Sequence, residues 1–334
     1  MQNRYRTWVI VLAAGDGSRL KSLTMDGSGA AVPKQFCSLC GGSTLFEDAL
    51  ARAAAVADPT RVCAIVAAQH RRWWSSLCAE LATSNIVVQP INRGTAIGIL
   101  LPLLHIVVRD GEARIVLLPS DHYVGEENIL ARSLRRAVEE LDTLLEEIVL
   151  LGIDPDYADP EFGYIVTSEH CGTASTPVER FVEKPDMATA RKLIDEGALW
   201  NSFIIAARAS ALVGLFVSRE PAIVASMRSA IQDDGHATDG GRAIALLYEC
   251  LPGIDFSSHV LQCTDVGLRC VKVDRCGWND LGTPTHLAAT VRGLPQFDQT
   301  PLRLLRSRLG PLNLSLQFAK FGGADSGANN RSAW

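Results

Sequence analysis

Long apolar runs are missing from this sequence, and none approaches the ~18 residues that a membrane span needs. An excess of positive charge is missing too: the 334 residues carry a net charge of −5, which argues against general affinity for nucleic acid or anionic membranes. The N-terminus shows no apolar signal core before its first predicted strand. We therefore expect a cytoplasmic protein with a large core that binds neither nucleic acid nor membrane.

Paired cysteine motifs are scarce as well. The nine cysteines are an odd number and lie mostly among apolar neighbours, as is typical of small buried side chains in a reducing compartment. Cys37 and Cys40 form a C-x-x-C motif. Zinc binding or redox chemistry would need a second ligand pair or a helix N-terminus beside it, and the sequence indicates neither. We therefore expect neither function at this motif.

The fold class follows from the rhythm of apolar segments. Through residues 7–153, short apolar runs that predict buried strands alternate with longer helical segments, which indicates a parallel sheet with helices on both faces. Beyond Asp154 the predicted strands lie closer together. We predict one mixed, mostly parallel α/β unit over residues 6–295, whose second half supplies a lid or a second substrate wall. A helical extension (296–321) and a disordered polar tail (322–334) would follow.

A glycine-rich segment follows the first predicted strand. Gly15 and Gly17 are succeeded by Ser18 and Arg19, and Lys34 lies fifteen residues further on. Glycines allow close approach of the backbone and expose successive N–H groups, arginine offers a charged fork and lysine a point charge. The segment predicts a polyphosphate site, although the same glycines are also typical of a plain strand-to-loop turn.

Two known nucleotide motifs are absent from this segment. The dinucleotide-binding pattern G-x-G-x-x-G lacks its third glycine because Leu20 occupies that position, and no Gly-Lys-Ser/Thr follows. No acidic residue ends a second strand near positions 35–40, where binding of a dinucleotide ribose would need one. A dehydrogenase is therefore a disfavoured alternative.

Acidic and basic residues end later predicted strands. Asp121 follows the most apolar strand of the first half, and Asp280 lies in the closing Trp-Asn-Asp-Leu-Gly segment; each is a candidate Mg²⁺ ligand or a turn cap. Glu183 and Lys184 end another strand. Since neighbours on a strand point to opposite faces, we expect no salt bridge between these two residues. One could then bind sugar hydroxyls and the other a phosphate, although the same pair is also typical of an ordinary exposed strand end.

A loop between a strand and a helix carries Asn92, Arg93 and Thr95. Its amides and backbone groups suit the edge of a base, and its arginine suits phosphate or stacking. The same residues would also serve as an ordinary capped helix start.

In their order along the chain, these segments resemble the sugar-1-phosphate nucleotidyltransferases, and within them the mannose-1-phosphate guanylyltransferases. The matching segments lie within residues 13–282 and are AAGDGSRL with PKQF, NRGTA, PSDH, FGYI, FVEKPD, WNS and WNDLG. The resemblance implies the Rossmann-like nucleotide-diphospho-sugar transferase fold. It also implies an enzyme that joins an NTP, here GTP, to a sugar 1-phosphate, here mannose 1-phosphate, and releases pyrophosphate.

The resemblance implies a role for each matched position, with Arg19, Lys34, Asp121 and Lys184 as the catalytic set. The triphosphate and nucleoside would be bound by Ala14, Gly15, Gly17, Ser18, Arg19, Lys34, Asn92, Arg93 and Thr95. The sugar phosphate would be bound by Gly163, Glu183, Lys184 and Asn201. Asp121 and Asp280 would hold the Mg²⁺ cofactor. A homo-oligomer is possible.

Several positions depart from the family pattern. Asp16 stands where a small or polar residue is common, and Phe203 stands where WNS is usually followed by glycine. Gly94 replaces an asparagine, Ala14 replaces a glycine, and Lys21 with Ser22 replaces Trp-Pro. These changes fall on base and sugar recognition, so the substrates are less firmly implied than the reaction. The alternatives are another NTP and sugar pair, or a catalytically silent regulatory protein that binds a nucleotide sugar. A silent protein would be expected to lose the carboxylates and cations that this chain retains.

Overall fold

The computed structural model describes residues 6–26, 29–39, 42–168 and 174–292. The predicted helical extension (296–321), the predicted tail (322–334) and Cys40 lie outside the described residues.

Within these ranges nine strands form a single sheet. They are β1 (Thr7–Ala13), β2 (Val62–Ala67), β3 (Ile86–Gln89), β4 (Arg114–Pro119), β5 (Ile148–Ile153), β6 (Tyr164–Thr167), β7 (Thr176–Val182), β8 (Leu199–Arg208) and β9 (Leu268–Val273). Their order is β3-β2-β1-β4-β8-β5-β9-β7-β6, with a further pairing of β8 to β6. The sheet therefore holds elements from both halves of the sequence side by side.

Nine α-helices occur in the same described ranges. They are α1 (Leu45–Ala53), α2 (Arg71–Leu77), α3 (Gly94–Arg109), α4 (Glu127–Glu140), α5 (Met187–Asp195), α6 (Ala209–Arg219), α7 (Pro221–Asp233), α8 (Arg242–Cys250) and α9 (Pro284–Arg292). A helix with the length and apolar character of a membrane span does not occur among these.

Helices cover both faces of the sheet because the strands are apolar on both. In β1, Val9 and Val11 belong to one buried cluster together with Phe46 of α1, whereas Ile10 belongs to a second cluster with Ile97 of α3. Successive side chains of a strand point to opposite faces, so one apolar run feeds two cores. This confirms the predicted α/β architecture.

The sheet is parallel from β1 to β4 but mixed beyond β4. Strands β1 to β4 pair in parallel, and β5 pairs in parallel with β9. Between β4 and β5, however, lies β8, which is antiparallel to both. The alternating pattern could not predict this, because a strand that enters the sheet from far downstream leaves no mark on the segments that it separates.

Leu117 at the centre of β4 tests how much the double-sided core contributes. This side chain is fully buried, and its Cα pairs with those of Ile10 and Ile205. We expect Leu117→Ala to lower the free energy of unfolding by about 2–5 kcal/mol in a urea titration, because it leaves a cavity between packed layers. The matched control is Leu145→Ala, a leucine that is 57% exposed, which should change stability by no more than about 0.5 kcal/mol. Equal effects would contradict the assignment of the core.

Candidate active site

A cleft of about 420 Å³ opens where the parallel strands β1, β3 and β4 end. In open α/β sheets, ligands bind beyond the carboxyl ends of the strands. The end of β7 and the start of β8 form part of its wall as well. Twelve of the predicted site residues line the cleft: Ala14, Gly15, Arg19, Lys34, Asn92, Thr95, Asp121, Gly163, Glu183, Lys184, Asn201 and Asp280.

Lys34 connects the two residues that are predicted to hold the metal. Its side chain is only 9% exposed, and its Nζ lies 2.9 Å from Asp121 Oδ2 and donates to the backbone carbonyl of Asp280 at 2.5 Å. Burial is the largest single influence and raises the pKa of Asp121, but the opposing effects, led by the charge of Lys34, together hold this pKa below its usual value. The Asp121 carboxylate is therefore ionised at neutral pH.

His122, the neighbour of Asp121, is held neutral. Burial lowers the pKa of His122 to about 4. The indole Nε1 of Trp278 donates to His122 Nδ1 at 3.3 Å, which leaves the imidazole proton on Nε2, 3.7 Å from Asp121 Oδ1. His122 thus packs against Trp278 and directs its remaining proton towards Asp121.

A histidine that sequence reasoning missed fixes the second carboxylate. His286 of α9 lies 2.9 Å from Asp280 Oδ1 through Nδ1 and 2.7 Å from Asp159 Oδ2 through Nε2, and its ring stacks on Phe162. The hydrogen bond to Asp280 is the main cause of the raised pKa of His286. Burial opposes ionisation of Asp280, but the bonds from His286 and the Gly282 N–H lower its pKa to about 2.

The glycine-rich loop is held by the side chain of Gln35. Its Nε2 donates to the carbonyls of Ala13 and Gly15 at 2.9 and 2.8 Å. Gly15 has open space where a Cβ would lie, whereas Gly17 has φ +58° and a Cβ there would lie 2.9 Å from the backbone nitrogen of Lys34. Gly15 therefore leaves room in the cleft, and Gly17 permits the close approach of Lys34. Neither Gly17 nor Ser18 lines the cleft itself.

Arg19 reaches across the cleft to an acid that the sequence did not single out. Its Nη1 lies 2.6 Å from Glu161 Oε2, and both side chains are about half exposed. Both residues line the cleft. A polyphosphate would compete with Glu161 for this guanidinium.

Only part of the loop that was predicted to face the nucleoside lines the cleft. Asn92 and Thr95 line the cleft. Arg93, which we predicted beside them, donates instead to the carbonyls of Tyr248 and Glu249 in α8, at 2.7 and 3.2 Å. Arg93 therefore joins the loop to a helix that the sequence pattern did not predict.

The departure at Gly94 has a steric explanation. This residue has φ +83°, and a Cβ on it would collide with the carbonyl oxygen of Ile254. The chain on either side is bonded to the same segment: Ile254 N donates to the Arg93 carbonyl, and Thr95 Oγ1 donates to Asp255 Oδ2. Only glycine fits where the two backbones meet this closely.

Asp16, another departure, links three loops beside the cleft. Its carboxylate accepts from Gln69 Nε2 at 2.9 Å and from Asn92 Nδ2 at 3.3 Å, and it lies 3.4 Å from His70 Nε2. Burial is the main cause of the lowered pKa of His70, and Asp16 opposes it.

Glu183 and Lys184 correct a sequence expectation. We expected their side chains to diverge, but Lys184 Nζ lies 3.5 Å from Glu183 Oε1. The alternation of a strand no longer applies, because β7 ends at Val182 and Lys184 has φ +44°. Glu183 is 12% exposed, and burial raises its pKa although Lys184 opposes the shift. Gly163 makes room for it, since a Cβ there would lie 2.5 Å from Glu183 Oε2.

Fold and cleft together define an α/β protein that presents cations and two ionised carboxylates at the ends of its strands. This chain belongs to the nucleotidyl transferase family, whose model matches residues 8–295.

Similar proteins agree with this assignment. The chain is 29% identical over 280 residues to the alginate biosynthesis protein AlgA of Pseudomonas aeruginosa, covering 82% of this chain and 56% of that protein. It is 27% identical over 277 residues to a mannose-1-phosphate guanylyltransferase of Sinorhizobium fredii, with 82% and 52% covered. The chain thus spans about half the length of the curated relatives that it matches.

Among solved structures, the chain resembles one described as a mannose-1-phosphate geranyltransferase from Thermus thermophilus. The TM-score is 0.69 at 27% sequence identity, and the match covers 83% of this chain and 76% of that one.

We predict that Gly94→Ala lowers the free energy of unfolding by more than about 1 kcal/mol, because the added methyl group collides with the Ile254 backbone at a left-handed position. The measurement is a urea titration. The matched control is Gly214→Ala inside α6, where no atom beyond the chain neighbours and the backbone of the helix itself lies within 4 Å of the added carbon. That change should be neutral or stabilise by up to about 1 kcal/mol, because alanine favours helix. A Gly94→Ala protein as stable as the control would contradict the close contact.

Proposed function

We propose that this chain is a nucleotidyltransferase that makes a nucleotide sugar, GDP-mannose, from GTP and mannose 1-phosphate with release of pyrophosphate. The observation that carries the proposal is the convergence of three cations, Arg19, Lys34 and Lys184, and two ionised carboxylates in one cleft. Lys34 follows the glycine-rich loop, and Lys184 follows the end of β7. Asp121 and Asp280 line the same cleft. Two phosphorylated substrates need such a pair of anchors.

The chemistry asks little of the protein beyond position and charge. An oxygen of the sugar 1-phosphate attacks the α-phosphorus of the triphosphate, a new P–O bond forms, and the bond to the bridging oxygen of pyrophosphate breaks. The nucleophile is already ionised, so no general base is required. Arg19 and Lys34 hold the triphosphate, Lys184 holds the sugar phosphate, and these cations offset the charge that the phosphates bring together.

The residues present fit a Mg²⁺ ion. Mg²⁺ usually binds through one or two carboxylates together with waters and substrate phosphates. Asp121 and Asp280 both line the cleft, and their lowered pKa values keep both charged at neutral pH. Among the described residues there is no group of three or more acidic, histidine or cysteine side chains that could hold a metal alone. A bound Mg²⁺ would neutralise charge on the phosphate oxygens.

The choice of guanine and mannose rests on the relatives that carry the name mannose-1-phosphate guanylyltransferase. Another NTP and sugar pair is the alternative, because Asp16, Gly94 and Phe203 depart from the family pattern close to where base and sugar would bind. A silent regulatory protein is disfavoured by the intact set of cations and carboxylates. The cytoplasmic location and a possible homo-oligomer stay predictions.

The experiment that tests the proposal is a substrate matrix. Purified protein is incubated with Mg²⁺, each of four NTPs and several sugar 1-phosphates, and released pyrophosphate is measured. We expect the fastest release with GTP and mannose 1-phosphate, and none when either substrate is left out. Absence of turnover with every pair would contradict the proposed function.

Asp121→Asn should abolish most turnover while the fold survives. The amide keeps the size of the carboxylate but loses the charge that would hold Mg²⁺, so we expect kcat to fall by at least about 100-fold. Pyrophosphate release gives the rate, and a thermal unfolding curve checks the fold. Asp233→Asn at the exposed end of α7 is the matched control and should keep the wild-type rate. An Asp121→Asn enzyme of normal activity would exclude the metal role.

Lys184→Ala should act on one substrate only. Loss of a charged hydrogen bond to the sugar phosphate is worth about 1.5–3 kcal/mol, so we expect the KM for mannose 1-phosphate to rise about 10- to 100-fold while the KM for GTP stays within about twofold. Lys192→Ala is the control, since this lysine is 77% exposed on α5. An unchanged KM for the sugar 1-phosphate would show that Lys184 binds something else.

A further inference from the structure

Strained backbone positions cluster around the cleft. Among the described residues, the non-glycine residues with positive φ are Lys184, Phe203, His236 and Leu281. This conformation is unfavourable for any residue with a Cβ, and it is commonly retained where function requires it. Lys184 is an anchor already discussed and Leu281 follows Asp280, but Phe203 has had no role so far.

Phe203 lies in a bulge of β8. Leu150 pairs with Ile205 and Gly152 pairs with Asn201, so residues 202–204 of β8 face a single residue of β5. Such a left-handed bulge position is usually occupied by glycine.

Local hydrogen bonds hold the bulge in place. The backbone N–H of Phe203 donates to Asn201 Oδ1 at 3.1 Å. The buried hydroxyl of Ser202 donates to the carbonyl of Leu151 at 2.7 Å and accepts from the N–H of Ile204. The chain therefore keeps phenylalanine, with φ +57°, in a conformation that glycine would adopt freely.

The ring of Phe203 forms an apolar part of a polar wall. It lies 6.1 Å from the ring of Phe256 in an edge-on arrangement, and it lines the cleft together with Glu183, Lys184 and Asn201. The resemblance to the sugar-1-phosphate nucleotidyltransferases assigns these three polar residues to the sugar phosphate. A phenyl ring offers no hydrogen bond to a hydroxyl or amide group, but it packs well against C–H bonds.

We propose that Phe203 determines which sugar 1-phosphate the cleft accepts. This inference rests on the proposed function of the cleft. The site takes a compact hexose 1-phosphate that presents ring C–H bonds to Phe203. It excludes a hexose 1-phosphate with a bulky acylamino substituent, because the ring takes up volume in this part of the cleft and offers no hydrogen bond to the polar atoms of such a group.

The test is Phe203→Gly, a change that removes the ring and also relieves the backbone. The variant is therefore expected to fold. His236→Gly is the matched control, because it relieves the same kind of backbone conformation at a residue that does not line the cleft. Phe203→Leu keeps most of the bulk but loses the aromatic face.

For each protein, kcat/KM is measured for mannose 1-phosphate and for N-acetylglucosamine 1-phosphate at saturating GTP and Mg²⁺. We expect Phe203→Gly to raise the ratio in favour of the acetylated sugar at least about 10-fold, within the usual worth of a pocket contact. Phe203→Leu and His236→Gly should keep the wild-type ratio, and the KM for GTP should be unchanged throughout. An unchanged ratio in Phe203→Gly, or an effect on GTP instead, would overturn the inference.

A binding measurement separates this inference from the proposed function. If the wild-type protein shows no turnover with any substrate pair, the proposed function is wrong. The inference on Phe203 is then tested by calorimetry, which measures the dissociation constants of the two sugar 1-phosphates in the presence of Mg²⁺ and α,β-methylene-GTP. The same shift of at least about 10-fold in the ratio of dissociation constants supports it. An equal ratio in wild type and Phe203→Gly, or no binding of either sugar, overturns it.

Discussion

The site depends on the buried ammonium of Lys34. A charge taken out of water must be paired, and Lys34 finds its partners in the Asp121 carboxylate and the carbonyl of Asp280, 246 positions further along the chain. One side chain thereby joins the segment after the glycine-rich loop, the end of β4 and the last segment of the cleft. Removal of this charge would take from the Asp121 carboxylate its ion-pair partner and break the cross-link to the backbone of Asp280.

Further contacts hold the remaining walls of the cleft in place. His286 binds the carboxylate of Asp280, whereas Lys34 binds its backbone carbonyl, and His286 also connects that carboxylate to Asp159 in the loop after β5. The second half of the chain then supplies the far wall, where Lys184 and Phe203 are held in left-handed backbone conformations. Strain at such positions is tolerated when the surrounding structure fixes them, as the bulge of β8 does for Phe203.

Much of this arrangement could be predicted from local sequence. The ends of apolar strands located Asp121 and the glycine-rich loop, because strand ends in a parallel sheet meet at one edge. Contacts that depend on distant packing could not be predicted. Arg93 turns away from the cleft because it bonds to α8. The pairing of Glu183 with Lys184 depends on the positive φ of Lys184. The contact of His286 with Asp159 joins residues 127 positions apart. No local pattern carries that information.

Transfer of the nucleotidyl group to a sugar 1-phosphate, rather than to water, is the central proposal for this cleft. Phosphorus NMR of a reaction with GTP, mannose 1-phosphate and Mg²⁺ tests it most directly, because it identifies every phosphorus product at once. We expect coupled signals of a new diphosphate diester that grow in equal amounts with pyrophosphate while both substrates decline. Orthophosphate or GDP as the products, with mannose 1-phosphate unconsumed, would contradict it.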